Sequence, residues 1–561
     1  MILEAALGEA IDLLGQNRHA EMERVAHGMI ASFPDAGQGW KMLALACMGQ
    51  GRLAEARDSL EQGLRRTPGD WELSVYLGDL AHRQGDLAEA AGCYRQALAR
   101  APDHAALHYN LALLLQEAGR LDQAEEAFRQ AIRCQPDFAE ASINLASLLK
   151  SLKRYREAEA VFRQATGTTP AHADLLNNLG NLLKEQQRPV EAEAAYRQAL
   201  ALHPQGVEIH NNLGNLHKEQ KRFVEAESAY RQALTLQPEF PDARWNLSLL
   251  CLSLGRFREG WSLHDARFHP GKTGWRVPPV ALPYPMWRGE RVTGRSLLIV
   301  SEQGFGDLIQ FGRYLPLLKA GGARLLTLVC PAPLAVLCAS LAGVDRMLAP
   351  EELGKAPEHD FWTFLLSIPV HLDTTLATIP ARLPYLSAPP ERLALWRDRA
   401  VWPGFRVGLA WRGNPAHAND ANRSLPGLSL LAPLWDVPGI SFVTLQLGPG
   451  EEEGRTPPHG MELFQPGGSL RDFADTAALV MQLDLVIGVD SAVVHLAGAL
   501  GKPFWVLLPW NGDWRWLEER ADSPWYPGLA RLFRQHRPGD WSGVVRQVTT
   551  ELRRLTGGSR P

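Results

Sequence analysis

Apolar and polar residues alternate with the spacing of amphipathic helices through the N-terminal half of the chain, and the pattern repeats. One unit reads LHYNLALLLQEAGR followed by LDQAEEAFRQAIRCQP, which predicts a helix, a polar turn and a second helix. Prolines recur every 34 residues, at Pro34, Pro68, Pro102, Pro136, Pro170, Pro204 and Pro238. Because one helix pair cannot bury its apolar face alone, we predict an array of about seven stacked pairs over residues 1–268.

The pattern changes after residue 268. Residues 269–294 are rich in Pro, Gly and aromatic residues and lack a helical period, which is typical of a connector. From residue 295, short β-type runs alternate with helical segments, as in parallel α/β layers. The predicted strands are 296–302, 324–330, 359–366, 405–411, 441–447, 484–490 and 503–509. A stretch around 383–404 separates two sheets, so we predict two α/β domains, 295–400 and 401–561.

Composition narrows the classes of function. The 58 Lys and Arg residues against 62 Asp and Glu residues give a formal charge of −4, which argues against a general nucleic-acid binder. No window has the ~20 uninterrupted apolar residues of a membrane span, and Glu4 and Glu9 do not suit a secretory signal. The six cysteines lie far apart without metal-ligand spacing, so we expect the reduced thiols of a cytoplasmic protein and no zinc site. We also expect no other metal and no cofactor.

A column of asparagines follows the period of the repeats. Eight residues past successive prolines stand Asn110, Asn144, Asn178, Asn212 and Asn246. Helix propensity does not explain them, because asparagine is a middling helix former. An amide both donates to and accepts from a peptide backbone, so the column predicts contacts with an extended acceptor polypeptide. The alternative is that each amide bonds the neighbouring repeat and sets the stacking.

The first α/β domain opens with a strand, a glycine-bearing loop and a helix that includes Gly304, Gly306 and Asp307. The third glycine of a dinucleotide-binding motif is absent, since Ile309 occupies its position, which argues against hydride transfer. Asp307 is expected at the helix N-terminus, beyond the carboxyl end of a parallel strand. Such an aspartate either caps the helix or faces a crevice and accepts a proton from an attacking hydroxyl.

The second α/β domain offers a candidate phosphate site. The amides of Ser491, Ala492 and Val493 start a helix directly after the strand that ends at Asp490, and free amides there suit a diphosphate. The other candidate donor-binding residues are Arg412, Asn414, Arg423, His495, Trp510 and Trp514. Each arginine is either a bidentate phosphate ligand or ordinary surface charge, and His495 is either functional or a core histidine. Most aromatics near the C-terminus read as core, with Trp510 to Trp514 favoured as a pocket wall.

Two family resemblances join these observations. The N-terminal units resemble the tetratricopeptide repeat, and the asparagine column in its NL(A/G) context resembles the ladder by which eukaryotic O-GlcNAc transferase binds acceptor protein. The motifs GFGDLIQFGRYLP, GLAWRGNPAHANDANRSLP, VIGVDSAVVHLAGALGKPFWVLLP and DWRWLEERADSPWYPGLARLFRQ resemble the heptosyltransferase-like GT-B glycosyltransferases. The fold class implied is an all-α superhelix followed by two facing Rossmann-like sheets.

The resemblance implies metal-independent, inverting transfer from a nucleotide-sugar donor. It places the base at Asp307 and donor phosphate contacts around Asp490, Ser491 and Arg423. Asp490-Ser491-Ala492 departs from the D-T-G of heptosyltransferases, and Arg423 stands near their phosphate-binding lysine, so the donor sugar stays open.

The resulting hypothesis is a protein glycosyltransferase. It would bind its acceptor protein on the repeats and modify Ser or Thr, with flagellin as an acceptor by analogy with bacterial fusions of this architecture. Two alternatives stay open: transfer to a lipid-linked or polysaccharide acceptor, and a catalytically inactive repeat scaffold whose GT-B part senses a ligand. The expected reaction class rests partly on the analogy of fold.

Overall fold

The computed structural model describes residues 2–273, 277, 280–417 and 419–557. These residues form two compact units, Met1–Leu216 and His217–Pro561. The division falls inside a helix of the repeat array, whereas the repeat pattern itself continues to residue 268.

The first unit is built from helices only, within its described residues. They are α1 (Leu3–Gly15), α2 (His19–Ser32), α3 (Gly37–Gly49), α4 (Leu53–Arg66), α5 (Trp71–Arg83), α6 (Leu87–Leu98), α7 (Ala105–Glu117), α8 (Leu121–Cys134), α9 (Ala139–Ser151), α10 (Tyr155–Thr168), α11 (Ala173–Glu185), α12 (Pro189–Leu202) and most of α13 (Val207–Glu219). The predicted helix pairs of this region are confirmed.

Small residues let the helices of the array approach one another. On α8, Ala124, Ala127 and Ala131 are buried beside Phe128, and α12 buries alanines at the matching positions. These side chains share one continuous apolar core with the leucines of the first helix of each pair. Because each repeat leaves an apolar face for the next, the repeats stabilise one another rather than folding singly.

The turns inside the helix pairs share one backbone conformation. A residue with positive φ occurs every 34 residues, at Asn17, Gly51, Gly85, Gly119, Lys153, Gln187, Lys221 and Gly255. Glycine adopts this left-handed conformation without steric cost, whereas lysine and glutamine do not. The repeat therefore imposes its turn geometry even where the local sequence does not favour it.

The second unit begins with the last helices of the repeat pattern. They are α14 (Phe223–Leu236), α15 (Pro241–Ser253) and α16 (Phe257–Leu263), followed by a 3₁₀ turn over His264–Phe268. Before the first sheet, two isolated β-bridges pair Met286 with Trp362 and Thr293 with Ala323.

Two parallel sheets follow. The strands are β1 (Ser296–Val300), β2 (Leu325–Val329), β3 (Arg346–Leu348), β4 (Phe361–Phe364), β5 (Phe405–Ala410), β6 (Ile440–Thr444), β7 (Leu485–Val489), β8 (Phe504–Leu508) and β9 (Ala530–Arg534). The first sheet has the order β3-β2-β1-β4 and the second the order β6-β5-β7-β8-β9, with every pairing parallel.

Helices and strands alternate as the sequence predicts for α/β layers. The helices are α17 (Phe305–Phe311), α18 (Leu315–Ala320), α19 (Ala332–Cys338), α20 (Ile368–His371), α21 (Pro390–Arg399), α22 (Asp420–Arg423), α23 (Glu451–Arg455), α24 (Phe473–Val480), α25 (Ala492–Ala499) and α26 (Trp541–Gly557). Each predicted strand is present, with ends shifted by a few residues. The sequence pattern does not predict the edge strands β3 and β9, because β3 has only three residues and β9 has two arginines among its five.

The last helices of the repeat pattern pack directly on the sheet region of the second unit. The ring of Phe257 stacks on Trp525 at 5.8 Å between centroids, and Trp261 meets Trp514 edge-on at 5.3 Å. All four rings are almost completely buried. Aromatic pairs of this kind contribute about 0.5–1.5 kcal/mol beyond the area they bury.

A buried ion pair adds a second link. The guanidinium of Arg267, in the 3₁₀ turn after α16, donates to Glu302 at 3.1 Å and to the Ser367 hydroxyl at 2.7 Å. Glu302 lies just beyond the end of β1 and also accepts from the Leu366 amide at 3.1 Å. This pair therefore holds the loop that leads from β1 to α17.

Candidate functional site

The loop after β1 presents Asp307 at the start of α17. Its carboxylate oxygen Oδ2 accepts a hydrogen bond from the Gly304 amide at 2.9 Å, so Asp307 caps the helix. Gln303, the residue before Gly304, has φ +65°, a conformation that is rare outside glycine. The Asp307 side chain is 16% exposed, so its carboxylate is mostly but not fully enclosed.

The other oxygen of Asp307 is engaged by Arg515, which lies between β8 and β9. The Arg515 guanidinium pairs with Asp307 Oδ1 and with Asp513 Oδ1, the latter at 2.8 Å. Its centre lies 4.7 Å from the Trp514 ring and 5.7 Å from the Phe311 ring. Burial opposes the charge, but the carboxylates of Asp307 and Asp513 raise the pKa of Arg515 above its ordinary value.

Gly306 brings the start of α17 against the start of α25. A β-carbon placed on Gly306 would lie 3.1 Å from His495 Cδ2, 3.5 Å from Ala492 Cα and 3.6 Å from the Ala492 amide nitrogen. Helices α17 and α25, which follow strands of the two different sheets, therefore pack together at Gly306, one residue before Asp307.

Replacing Gly306 by Ala is expected to destabilise the second unit by about 1 kcal/mol, and Val by about 1–3 kcal/mol, because α17 must move from α25. Gly304→Ala is the matched control, since its β-carbon would meet only Asp307 Oδ2 at 3.5 Å. Urea-induced unfolding measures the difference. Equal stability of the two alanine variants would contradict a tight contact at Gly306.

The start of α25 offers unpaired amides. Ser491 is the N-cap in an extended conformation, and its side chain does not cap the helix. Its hydroxyl oxygen is enclosed and has no hydrogen-bond partner among the described residues. The first amides of a helix have no intrahelical acceptor, so those of Ala492 and Val493, both half-buried, are available to an anion.

His495 and Asp490 form a buried cluster beneath these amides. His495 Nε2 lies 3.7 Å from Asp490, Nδ1 hydrogen-bonds the Tyr526 hydroxyl at 2.9 Å, and the ring stacks on Trp516 at 5.1 Å. Burial raises the pKa of Asp490, but the hydrogen bond and charge of His495 outweigh it, and the net pKa is lowered. His495 is thus fixed by side chains and supports the turn after β7.

Of the predicted arginines, Arg423 lies close enough to Asp490 and His417 for its charge to act on both, whereas Arg412 is paired with other residues. Arg412 is taken up by Glu453 at 2.5 Å and the Pro426 carbonyl at 2.6 Å. Arg423 bonds Asp420 at 3.2 Å. The pKa of His417 is lowered by partial desolvation and by Arg423, while the carboxylates of Asp513, Asp490 and Asp307 oppose the shift.

The loop that carries these groups is shaped by Asn414. Its side-chain oxygen accepts from the Ala416 amide at 3.0 Å, which forms a local turn before His417. Asn414 itself is exposed. Its observed role is therefore to shape the loop.

The two tryptophans predicted as a pocket wall, Trp510 and Trp514, contact the last helices of the repeat pattern. Trp514 is buried in the aromatic core with Phe257 and Trp261, and the Trp510 indole donates to the Glu219 carbonyl at 2.9 Å. Lys221 lies over the Trp510 ring at 4.5 Å. Both tryptophans thus join the last repeat helices to the sheet region, and their role as a pocket wall stays a prediction.

The asparagine column is half-buried, and several of its amides contact their own array. Asn144 donates to the Tyr109 hydroxyl at 2.8 Å, and Asn212 donates to Asn177 at 3.0 Å, each reaching the preceding repeat. Asn178 donates to the Asp174 carbonyl in its own helix at 2.9 Å. Asn110 hydrogen-bonds Tyr94, and Asn246 also has a partner. These contacts match the stacking alternative and leave each amide partly exposed.

Sequence reasoning did not single out Arg515, Asp513 or His417. Arg515 and Asp513 belong to the segment NGDWRW directly after β8, which was considered for its aromatic residues alone. The signal available was position, because Asp513 follows the carboxyl end of a parallel strand just as Asp307 does. His417 lies in the loop between the two predicted arginines.

Comparison with known proteins identifies the repeats. The tetratricopeptide repeat model matches residues 7–71, 41–105, 77–139, 109–173, 143–207, 177–238 and 211–259. Residues 7–259 are tetratricopeptide repeats. Protein FlbA of Caulobacter vibrioides is 32% identical over 326 residues, which cover 54% of this chain and 54% of that protein. The chain therefore spans about half the length of this curated relative.

Two solved structures resemble part of this chain at low sequence identity. The C-terminal part of a repeat protein from Cytophaga hutchinsonii is 15% identical and covers 43% of this chain and 99% of its own, with a TM-score of 0.36. PilF of Pseudomonas aeruginosa is 21% identical and covers 38% of this chain and 95% of its own, with a TM-score of 0.31.

The part of the chain that the structure describes contains neither a candidate membrane span nor a candidate metal site. No helix there combines the length and the apolar composition that crossing a bilayer requires. No group of three or more His, Cys, Asp or Glu side chains in that part of the chain is arranged to hold a metal ion.

Proposed function

We propose that the chain is a GT-B glycosyltransferase that moves a sugar, with inversion, from a nucleotide-sugar donor to Ser or Thr of a protein bound by the repeats. The observation that carries the proposal is the close approach of Gly306, the residue before Asp307, to Ala492 at the start of α25. The carboxylate of Asp307 and the free amides of α25 thereby lie beyond the carboxyl ends of β1 and β7, which belong to two different parallel sheets. Open α/β sheets bind ligands at such ends.

The donor diphosphate is placed at the start of α25. The amides of Ala492 and Val493 and the enclosed Ser491 hydroxyl supply hydrogen-bond donors, and Arg423 supplies positive charge nearby. Charge-assisted hydrogen bonds are roughly twice as strong as neutral ones, so this cradle favours phosphate oxygens.

In the proposed reaction, Asp307 takes the proton of the acceptor hydroxyl. The hydroxyl oxygen forms a bond to the anomeric carbon from the face opposite the diphosphate, and the bond from that carbon to the phosphate oxygen breaks. Its electron pair leaves with the nucleoside diphosphate, whose added negative charge the amides of α25 stabilise. No step requires a metal.

A thermal-shift panel of nucleoside diphosphates and nucleotide sugars tests the donor site. A ligand that binds the folded state at 100 times its Kd stabilises it by ~2.7 kcal/mol, which raises the melting temperature measurably. Sugar transfer from the stabilising donor to a Ser- and Thr-rich polypeptide then tests the reaction. No shift and no turnover with any donor would favour the scaffold alternative.

The acceptor role of the repeats is tested by Asn144→Ala combined with Asn178→Ala. Loss of two hydrogen bonds to a bound polypeptide is expected to weaken its affinity about 5- to 100-fold, measured by fluorescence anisotropy with β-casein, while donor hydrolysis is unchanged. Gln164→Ala removes an exposed amide from α10 as the matched control. Unchanged affinity with a lowered melting temperature would assign the asparagines to repeat stacking.

A further inference from the structure

We propose that Arg515 is a ligand of the donor diphosphate and that its pairing with Asp307 is the ligand-free arrangement of the site. This inference rests on the proposed function for the identity of the donor. Binding of the diphosphate would take the guanidinium from Asp307, and the released carboxylate oxygen would turn to the acceptor hydroxyl. Donor binding would thereby prepare the base.

Position supports this exchange. Asp307 follows Gly306, where a β-carbon would lie within 3.6 Å of the Ala492 backbone at the start of α25, and Arg515 pairs with the Asp307 carboxylate. Arg515 also lies near enough to Asp490, at the end of the turn before α25, for that carboxylate to contribute to its raised pKa. A diphosphate on the α25 amides is thus placed beside the guanidinium.

The charges around Arg515 explain why a diphosphate would require this exchange. The carboxylates of Asp307, Asp490 and Asp513 all act on His417, whereas the arginines of this cluster are Arg423 and Arg515. With Arg515 shared between two carboxylates, the site is poorly suited to a second anion. Moving Asp307 Oδ1 off Arg515 leaves the net charge of the cluster unchanged, but it frees N–H donors of the guanidinium for phosphate oxygens.

The surroundings of Arg515 hold the guanidinium in place during the exchange. The residue is 7% exposed, its guanidinium carbon lies 4.7 Å from the Trp514 ring and 5.7 Å from the Phe311 ring, and Asp513 accepts from a second guanidinium nitrogen. Asp307 remains fixed by the Gly304 amide through Oδ2 while Oδ1 is released. Small side-chain rotations therefore suffice.

Inorganic pyrophosphate titrated into the full chain by calorimetry tests the proposal. Arg515→Gln is expected to weaken binding about tenfold or more, because a charged hydrogen-bond donor is lost. Asp307→Asn is expected to tighten binding about tenfold, because the internal competitor for Arg515 is removed. In an Arg515→Gln background, Asp307→Asn is expected to change affinity by less than about twofold.

Several results would overturn the inference. If Asp307→Asn weakens pyrophosphate binding or leaves it unchanged, the carboxylate does not compete for Arg515. If its gain persists without Arg515, the gain reflects general charge repulsion. Arg515→Lys, which keeps the charge, replaces Arg515→Gln if the latter does not fold, and Asp307→Asn alone still tests the sign. The proposed function fails separately, if the wild type turns over no nucleotide sugar while this pyrophosphate pattern holds.

Discussion

Replacing Asp307 by Asn is expected to lower the rate of sugar transfer about 10²- to 10⁴-fold, the usual contribution of a positioned general base. Asparagine has nearly the same shape, and its side-chain oxygen can still accept from the Gly304 amide, so α17 keeps its cap. It cannot take the hydroxyl proton. The measurement is initial rate at saturating donor and acceptor.

The pattern of kinetic constants makes the result specific. The proposed base contributes in the transition state, so kcat falls while donor affinity is not weakened. Asp398→Asn is the matched control, because Asp398 is an exposed carboxylate on α21. Full transferase activity of Asp307→Asn would remove Asp307 as the base.

Replacing Arg267 by Met is expected to destabilise the second unit by about 3–5 kcal/mol. Arg267 is fully buried, and its removal leaves Glu302 buried without its counter-charge. The double variant Arg267→Met with Glu302→Gln should recover most of the loss, because the glutamine oxygen still accepts from the Leu366 amide. Urea-induced unfolding measures both.

The loss should depend on pH with a defined sign. Burial raises the pKa of Glu302 in the folded state, although the charge and hydrogen bonds of Arg267 and the Leu366 amide oppose the shift. Because folding raises the pKa of Glu302, the folded protein favours its protonated form. The stability that this group contributes is lost as pH rises through the folded pKa. The deficit of Arg267→Met should therefore be smaller at pH 5 than at pH 8. Equal deficits would exclude an ionised Glu302 as its cause.

Local patterns in the sequence predict most of the fold. The proline period marks the repeats, and β-type runs such as those containing β1 and β7 mark the buried parallel strands. Both signals are local, since they arise from the period of one helix face or the burial of one strand. The edge strand β3 escapes because three residues give too short a pattern.

The candidate site is predicted only in part, for a physical reason. Asp307 and Ser491 are found because strand, loop and helix are consecutive in sequence. The partner of Asp307 is 208 residues away in the chain, and no local pattern announces that pair. Trp510 and Trp514 follow the end of β8 as predicted, but helices far upstream in sequence cover them.

The aromatic packing of Phe257 and Trp261 on Trp514 and Trp525 divides the repeats into two kinds. The repeat that contains Phe257 and Trp261 buries these side chains against the sheet region, so removing it would expose Trp514 and Trp525. Earlier repeats, such as the one with Phe128, bury theirs against neighbouring helices of the array. Deleting the last repeat should therefore destabilise the sheet region, which a change of length among the earlier repeats should not do.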